Sequence, residues 1–213
     1  PMSNASPVRW LQISDLHFDD VEGWERRALL DAMLRHLEEF AAEHPIDLVF
    51  VTGDIANRGR RGEYDQAHRF LNRLCEVLHL DPSTHLFVVP GNHDVDRGRI
   101  SRAATSILAG LNDEAAIGDT FADESAMRLL GTRLSEFYAF TERLLGPARA
   151  WHPERPWRVD VVDVRGVSLA LLQLNSAWAS GTSDDRGNLL VGEPQARAAL
   201  EEGARAALRV ALL

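Results

Sequence analysis

Three short, largely apolar runs in the first half of the chain each break off into polar residues. Val8 to Ile13 runs into Ser14-Asp15-Leu16-His17, and Ile46 to Val51 runs into Thr52-Gly53-Asp54. Leu86 to Val89 runs through Pro90 into Gly91-Asn92-His93-Asp94. Short apolar runs bounded by Gly, Pro and Asp predict buried strands. Two segments of helical period lie between them. Trp24 to Glu43 sets Leu30, Leu34, Leu37 and Ala41 on one stripe, widened by Met33 and Phe40. Glu63 to Leu78 does the same with Tyr64, Ala67, Leu71, Leu74 and Leu78. Alternation of strand and helix predicts a parallel sheet with crossover helices.

The pattern changes after Asp94. Residues 95–150 carry no convincing strand. They open with Arg97, Arg99 and Arg102 and later show a stripe of Leu130, Leu134, Phe137, Thr141 and Leu144. A helical insertion or cap over the functional edge of the sheet is expected here. Trp157 to Val164 and Val167 to Leu174, joined at Gly166, predict a hairpin. Its second strand ends in Asn175-Ser176, and a polar loop follows from Ser180 to Asn188. A helix from Pro194 to about Ala207 has Glu193 at its start, where a negative charge is favourable, and Gly203 weakens its later part. Arg209 to Leu213 predicts a last strand. The fold class expected is α/β, a single domain over residues 1–213 with a sheet faced by helices.

Composition narrows the classes of function. Apolar residues make up 45% of 213, enough for a real core. Net charge is −9, which repels nucleic-acid backbones unless cations or a local basic patch intervene. Ile55 to Gly62 holds such a patch, with Arg58, Arg60 and Arg61. The single cysteine, Cys75, excludes an intrachain disulfide and fits a reducing compartment. No apolar run reaches the length of a membrane span, and no signal-peptide pattern is read, so a cytoplasmic location is expected. Cys75 reads as a packing residue, His152 as a surface histidine, and the five scattered tryptophans as packing groups rather than a base-stacking set. Asp184-Asp185-Arg186-Gly187 lacks the spacing of a calcium loop.

The strand ends hold the candidate chemistry. In open α/β sheets, ligands collect beyond the carboxyl ends of the strands. Here those ends offer Asp15, His17, Asp54, Asn92, His93 and Asp94. Carboxylate oxygens and imidazole nitrogens together suit manganese, iron or zinc. Asp54 can bridge two ions, and Asn92 offers a neutral amide oxygen. His93 is placed to donate a proton to a leaving oxygen, and Asp94 to orient it through the other ring nitrogen. A metal pair there would activate water and clamp phosphoryl oxygens. Asp15-Leu16-His17 alone reads first as a solvated turn and Gly53-Asp54 alone as a common loop start; three such ends in succession do not.

The set Asp15-Leu16-His17, Gly53-Asp54 and Gly91-Asn92-His93-Asp94 resembles the calcineurin-like metallophosphoesterase superfamily. Gly53-Asp54-Ile55-Ala56-Asn57-Arg58-Gly59 with Glu63-Tyr64, Gln173-Leu174-Asn175-Ser176 and Gly192-Glu193-Pro194-Gln195 extend the resemblance. It implies a metallophosphoesterase-like β-sandwich flanked by helices, with a helical insertion at about 95–150. It also implies a hydrolase of phosphomonoesters or phosphodiesters with two divalent or mixed-valence ions, Mn, Fe or Zn. By resemblance, Asp15 and His17 bind one ion, Asp54 bridges, and Asn92 binds the second. His93 acts on the substrate, and Asn57 and Arg58 contact phosphate. The family pattern continues with a further histidine and a Gly-His-x-His motif, which are absent here. The expectation is therefore a C-terminally truncated enzyme, inactive alone, or a site completed by a homodimer or a second chain. A non-catalytic protein-binding module on a degenerate phosphoesterase fold and a metal-dependent nuclease are the alternatives.

Overall fold

Valine, phenylalanine and leucine dominate the central strands, and these strands are covered on both faces, as parallel sheets require. In the computed structural model, which describes residues 7–21, 23–181 and 189–213, β1 (Trp10–Ile13), β2 (Leu48–Thr52) and β3 (Leu86–Val89) form one sheet in that order. Both pairings are parallel, with Gln12 opposite Phe50 and Phe50 opposite Phe87. Helices α1 (Trp24–Glu43) and α2 (Arg61–Val77) make the crossovers. Every side chain of β3 is buried, whereas edge strand β1 leaves Trp10 and Gln12 exposed.

A second three-stranded sheet has the order β4-β5-β6. Its strands are β4 (Trp157–Val164), β5 (Val167–Leu174) and β6 (Leu208–Leu212). β4 and β5 form the expected antiparallel hairpin, and β6 returns parallel to β5 after helix α8 (Glu193–Glu202). Alternate residues of β5 face opposite ways. Leu169 and Leu171 join Leu212 and the first sheet's Val49 and Phe87 in one core. Ala170 and Leu172 pack with Ala199 of α8 on the other face.

The helices between α2 and the hairpin divide into two groups. After the short α3 (Pro82–His85) and β3 come α4 (Arg102–Gly110), α5 (Glu114–Ala122), α6 (Glu124–Gly131) and α7 (Ser135–Leu145). α7 belongs to the main core: Phe137 and Phe140 are fully buried, and Phe140 stacks on Tyr64 at 4.9 Å. α4 to α6 instead close around Trp178, with Met127 and Leu130 buried and Phe121 edge-on at 4.7 Å. Arg133 ties the two groups together. It is buried, and its guanidinium donates to the carbonyls of Leu130 at 2.8 Å, Trp178 at 2.5 Å, and Ser180. Its own carbonyl accepts from the Asp96 amide at 2.9 Å, which fixes the segment that borders the strand ends.

Mixed α/β architecture is therefore as expected, and several boundaries differ. β1 begins at Trp10 rather than Val8, and β2 at Leu48 rather than Ile46. α2 starts two residues early, at Arg61, because the Glu63 side chain turns back to cap the loop before it. α8 stops at Glu202, with Gly203 as its C-cap, and does not reach Ala207. Phe40 is 44% exposed and does not widen the buried stripe of α1. His152 is exposed, as expected. The part of the Ser180 to Asn188 loop from residue 182 onward, with Asp184 to Gly187, lies outside the described residues, as do residues 1–6. Among the described residues, no helix is long and apolar enough to cross a membrane.

Cys75 is 1% exposed on α2, and burial, assisted by Asp81 and Glu76, pushes its thiol up to about 12. The thiolate is the reactive form. Ellman's reagent at pH near 8 is expected to leave the native protein unmodified and to titrate this thiol only after unfolding in guanidinium chloride. Rapid reaction of the native protein would show that α2 opens locally.

Candidate metal centre

The chain leaves β1 and β2 side by side, and their loops keep pairing beyond the sheet. The Asp15 amide donates to the Gly53 carbonyl at 3.3 Å, His17 to Asp54 at 2.8 Å, and Phe18 to Ile55 at 2.8 Å. Asn57 returns a bond to the Phe18 carbonyl at 3.0 Å, and Gly53 bonds back to Val89 at 3.1 Å. Phe18 anchors the zipper. It is 1% exposed, packs on Phe70 at 5.7 Å, and lies under the Arg26 guanidinium. Asp15, His17 and Asp54 all adopt left-handed backbone, with φ of 54°, 43° and 51°. Each costs on the order of 1 kcal/mol for a residue with a Cβ. Such conformations persist only where surrounding bonds over-determine them, and the zipper supplies those bonds.

This backbone turns the side chains toward one another. His17 Nε2 lies 3.8 Å from Asp15 Oδ1 and 3.9 Å from Asp54 Oδ2. His17, Asp54 and His93 each offer a ligand atom, all within 4.8 Å of one another. The rings of His17 and His93 meet edge to face at 4.5 Å. Two imidazoles and a carboxylate at that spacing fit a divalent transition ion. Asp54 uses its other oxygen, Oδ1, to accept from the His93 amide at 2.9 Å. Gly91 permits that approach, because a Cβ there would lie 2.2 Å from Asp54 Oδ1.

His93 Nδ1 sits 3.0 Å from the Asn57 carbonyl oxygen. A carbonyl only accepts, so Nδ1 carries the proton and Nε2 presents its lone pair when the ring is neutral. Sequence reasoning gave this orienting role to Asp94, and the structure gives it to a backbone carbonyl. Asp94 turns inward instead, fully buried. Its Oδ1 accepts from Ala56 N at 2.9 Å and the Tyr64 hydroxyl at 2.9 Å. Its Oδ2 accepts from Gly91 N at 2.8 Å and Ile55 N at 3.2 Å. Asp94 thus clamps the loop after β2 to the loop after β3 and does not face the cleft.

The other expected residues line a cleft of about 250 Å³ beside the centre. Asn92 and His93 line it together with Asn57 and Arg58 from the loop after β2 and Asp96 and Arg97 from the segment after β3. The Asn57 side chain donates to Asp19 at 2.8 Å, so this residue works through both its amide and its carbonyl. Glu63, 1% exposed, accepts from the amides of Arg58 and Arg60, both at 2.9 Å, and shapes the loop after β2. Gly59, at φ 68°, lets that loop rest on the Asp94 carbonyl, where a Cβ would stand 2.5 Å away.

Sequence reasoning missed three supports. Phe18 was signalled by one large apolar residue inside an acidic loop. Glu63 was signalled by its place three residues after the loop end at Arg60. The Tyr64 hydroxyl was hidden because the ring fits the apolar stripe.

The profile of the Calcineurin-like phosphoesterase family matches residues 8–167. A metallophosphoesterase-like protein of Bacillus subtilis, YydB, is 30% identical over 140 residues, which is 65% of this chain and 28% of that protein. A 3′,5′-cyclic-nucleotide phosphodiesterase of a Nostoc species is 26% identical over 106 residues, covering 47% of this chain and 39% of that protein. The chain thus matches well under half the length of each of these relatives.

Burial raises the Asp94 carboxyl from its ordinary 3.8 to about 6, against the pull of its donors. A folded value above the unfolded one favours the protonated form. This contribution to stability is complete below about pH 4 and is lost as pH rises through about 6. The urea midpoint of the metal-free protein is expected to fall across that window, and Asp94→Asn to lack that part of the slope. Asp94→Ala strands three backbone N–H groups and a hydroxyl, and is expected to cost at least about 3 kcal/mol. A loss under about 1 kcal/mol in urea titration would remove Asp94 as the clamp.

Proposed function

The chain belongs to the calcineurin-like phosphoesterase family, and we propose that it is the metal-binding part of a phosphoric ester hydrolase. Its substrate is a phosphodiester or phosphomonoester and its centre is dinuclear. The convergence of Asp15 and Asp54 on His17, with the His93 ring beside them, carries this reading. Asp15, His17 and Asp54 hold one ion, and Asp54 and Asn92 hold the second. Mixed nitrogen and oxygen donors suit manganese, iron or zinc. When bound, the ions neutralise phosphoryl charge and lower the pKa of water.

The protein groups then divide the remaining work. Arg58 and Asn57 receive the phosphoryl oxygens from the cleft wall. A water oxygen gives up a proton to solvent and forms the new P–O bond, the ester P–O bond breaks, and the leaving oxygen takes its proton from His93 Nε2. The Asn57 carbonyl holds the His93 ring in register and stabilises the imidazolium by accepting from Nδ1–H. The diester branch is supported by the cyclic-nucleotide phosphodiesterase among the relatives. Three ligands for one ion and two for the other leave room for further donors from a second copy or another segment.

Loading with Mn²⁺ and counting ions per chain, alongside the mass of the species, tests the centre. Two tightly held ions in an assembly larger than one chain would place further donors in a neighbour, and no retained ion would end the proposal for this chain alone. In the form that hydrolyses bis(p-nitrophenyl) phosphate, Asp54→Ala is expected to lose metal and activity together. His93→Gln is expected to lower kcat by about 10²–10⁴-fold with metal content unchanged. Loss of metal from His93→Gln would make His93 a ligand instead of the acid.

A further inference from the structure

A recess at the start of β4 lies apart from the strand-end cleft and shares no lining residue with it. It is bordered by the turn at Pro147–Arg149 and by the first residues of β4, and its volume is about 310 Å³. Ala148, Ala150, Val159 and the Trp157 indole give it an apolar wall. Its remaining lining residues are Trp151, His152, Arg155 and Arg158, and among the described residues no carboxylate lines it.

Trp151 is the group that the fold leaves unsatisfied there. It is 4% exposed, and its ring meets Phe137 edge-on at 5.7 Å, so packing fixes it. Its indole Nε1–H is buried and has no acceptor among the described residues. A buried indole N–H ordinarily finds a partner, because leaving water without one is costly. The Ala148 and Ala150 carbonyls accept from Arg158 instead, both at 3.4 Å.

The surrounding charge is positive. Asp160 accepts from Arg158 at 2.7 and 2.9 Å and stands 3.5 Å from the buried Arg149. Glu202 accepts from Arg155 and, at 3.1 Å, from the Trp157 indole. Three guanidinium groups thus meet two carboxylates, on a chain whose net charge is −9. Arg155 is exposed and keeps N–H groups beyond its bond to Glu202. A buried donor without an acceptor, an excess positive charge and an apolar wall together complement an anionic head on a small apolar body.

We propose that this recess binds a small organic anion, a carboxylate or phosphate head on a body no larger than one ring. The head accepts from Trp151 Nε1–H and is balanced by Arg155, and the body lies against Trp157 and Val159. The volume stands at the small end of the range for ligand pockets, which sets the size of the body. This site is independent of the hydrolase reading.

Benzoate and phenylphosphonate serve as probes of the two head groups, and benzamide as the uncharged counterpart of benzoate. Each is titrated into the metal-free, ¹⁵N-labelled protein while the Trp151 indole N–H resonance, assigned through bonds, is followed. At least one anion is expected to move that resonance downfield with a Kd on the order of 1 mM, and benzamide to bind about tenfold more weakly. Movement by phenylphosphonate alone assigns a phosphate head and movement by benzoate alone a carboxylate, and either supports the site. Arg155→Gln is expected to weaken the anion about tenfold and benzamide by less than about twofold. Trp151→Phe, which keeps a ring in the core and removes the donor, is expected to weaken the anion about tenfold. Should Trp151→Phe fail to fold, the wild-type resonance and the exposed Arg155 decide. A resonance that stays in place under both anions at tens of millimolar leaves the N–H to water and overturns the site. Benzamide binding as tightly as the anions overturns it as well, and so does a response lost in Arg58→Gln, which would place the anion in the strand-end cleft.

Discussion

The buried carboxylate of Asp94 is the constraint on which the strand-end geometry depends. Strands β2 and β3 are hydrogen-bonded neighbours, and their loops stay in close contact past the end of the ladder, with Gly53 and Gly91 backbone against backbone. Asp94 takes amides from Ile55 and Ala56 on one loop and from Gly91 on the other, and a hydroxyl from Tyr64 beneath them. An ion so deeply buried is tolerated only with its lone pairs satisfied. Those four bonds set where Gly91 lies, and Gly91 in turn sets how closely Asp54 approaches the third loop. The Asp54 carboxylate is thus placed by a group two links away that never faces the cleft.

Strain enters as the second part of that geometry. Asp15, His17 and Asp54 in left-handed backbone would relax if their two loops were free. They are held because the parallel pairing of β1 and β2 extends past the sheet as far as Phe18 and Ala56. The acidic side chains then converge near His17 although their like charges favour separation. A cation between them would remove that repulsion, so the arrangement is consistent with a frame built for an ion before one arrives. The same frame gives His93 its orientation, since the Asn57 carbonyl belongs to the zipper.

Much of this was legible in the order of apolar and polar residues. Strand ends carrying Asp15, His17, Asp54 and His93 were visible because buried parallel strands give unbroken apolar runs and their ends do not. The direction of Asp94 was not legible. Neighbours in one tight turn point to opposite sides, and only the backbone decides which of His93 and Asp94 faces outward. The split of the helices after Asp96 was also hidden, because α7 and α6 carry similar apolar stripes. Their different destinations depend on the Tyr64–Phe140 stack and on Trp178, both far away in sequence. Arg133 had no sequence signal, since a buried arginine that bonds to backbone carbonyls reads as any surface arginine.

The charge pattern follows from the same architecture. The loop after β1 must supply carboxylates, so its surroundings are acidic, and an anionic substrate approaching from that side meets repulsion until ions are bound. The loop after β2 and the segment after β3 carry arginines instead, Arg58 and Arg60 on the one and Arg97 on the other. Global charge therefore says little about what this surface accepts, and the distribution along two loops says most.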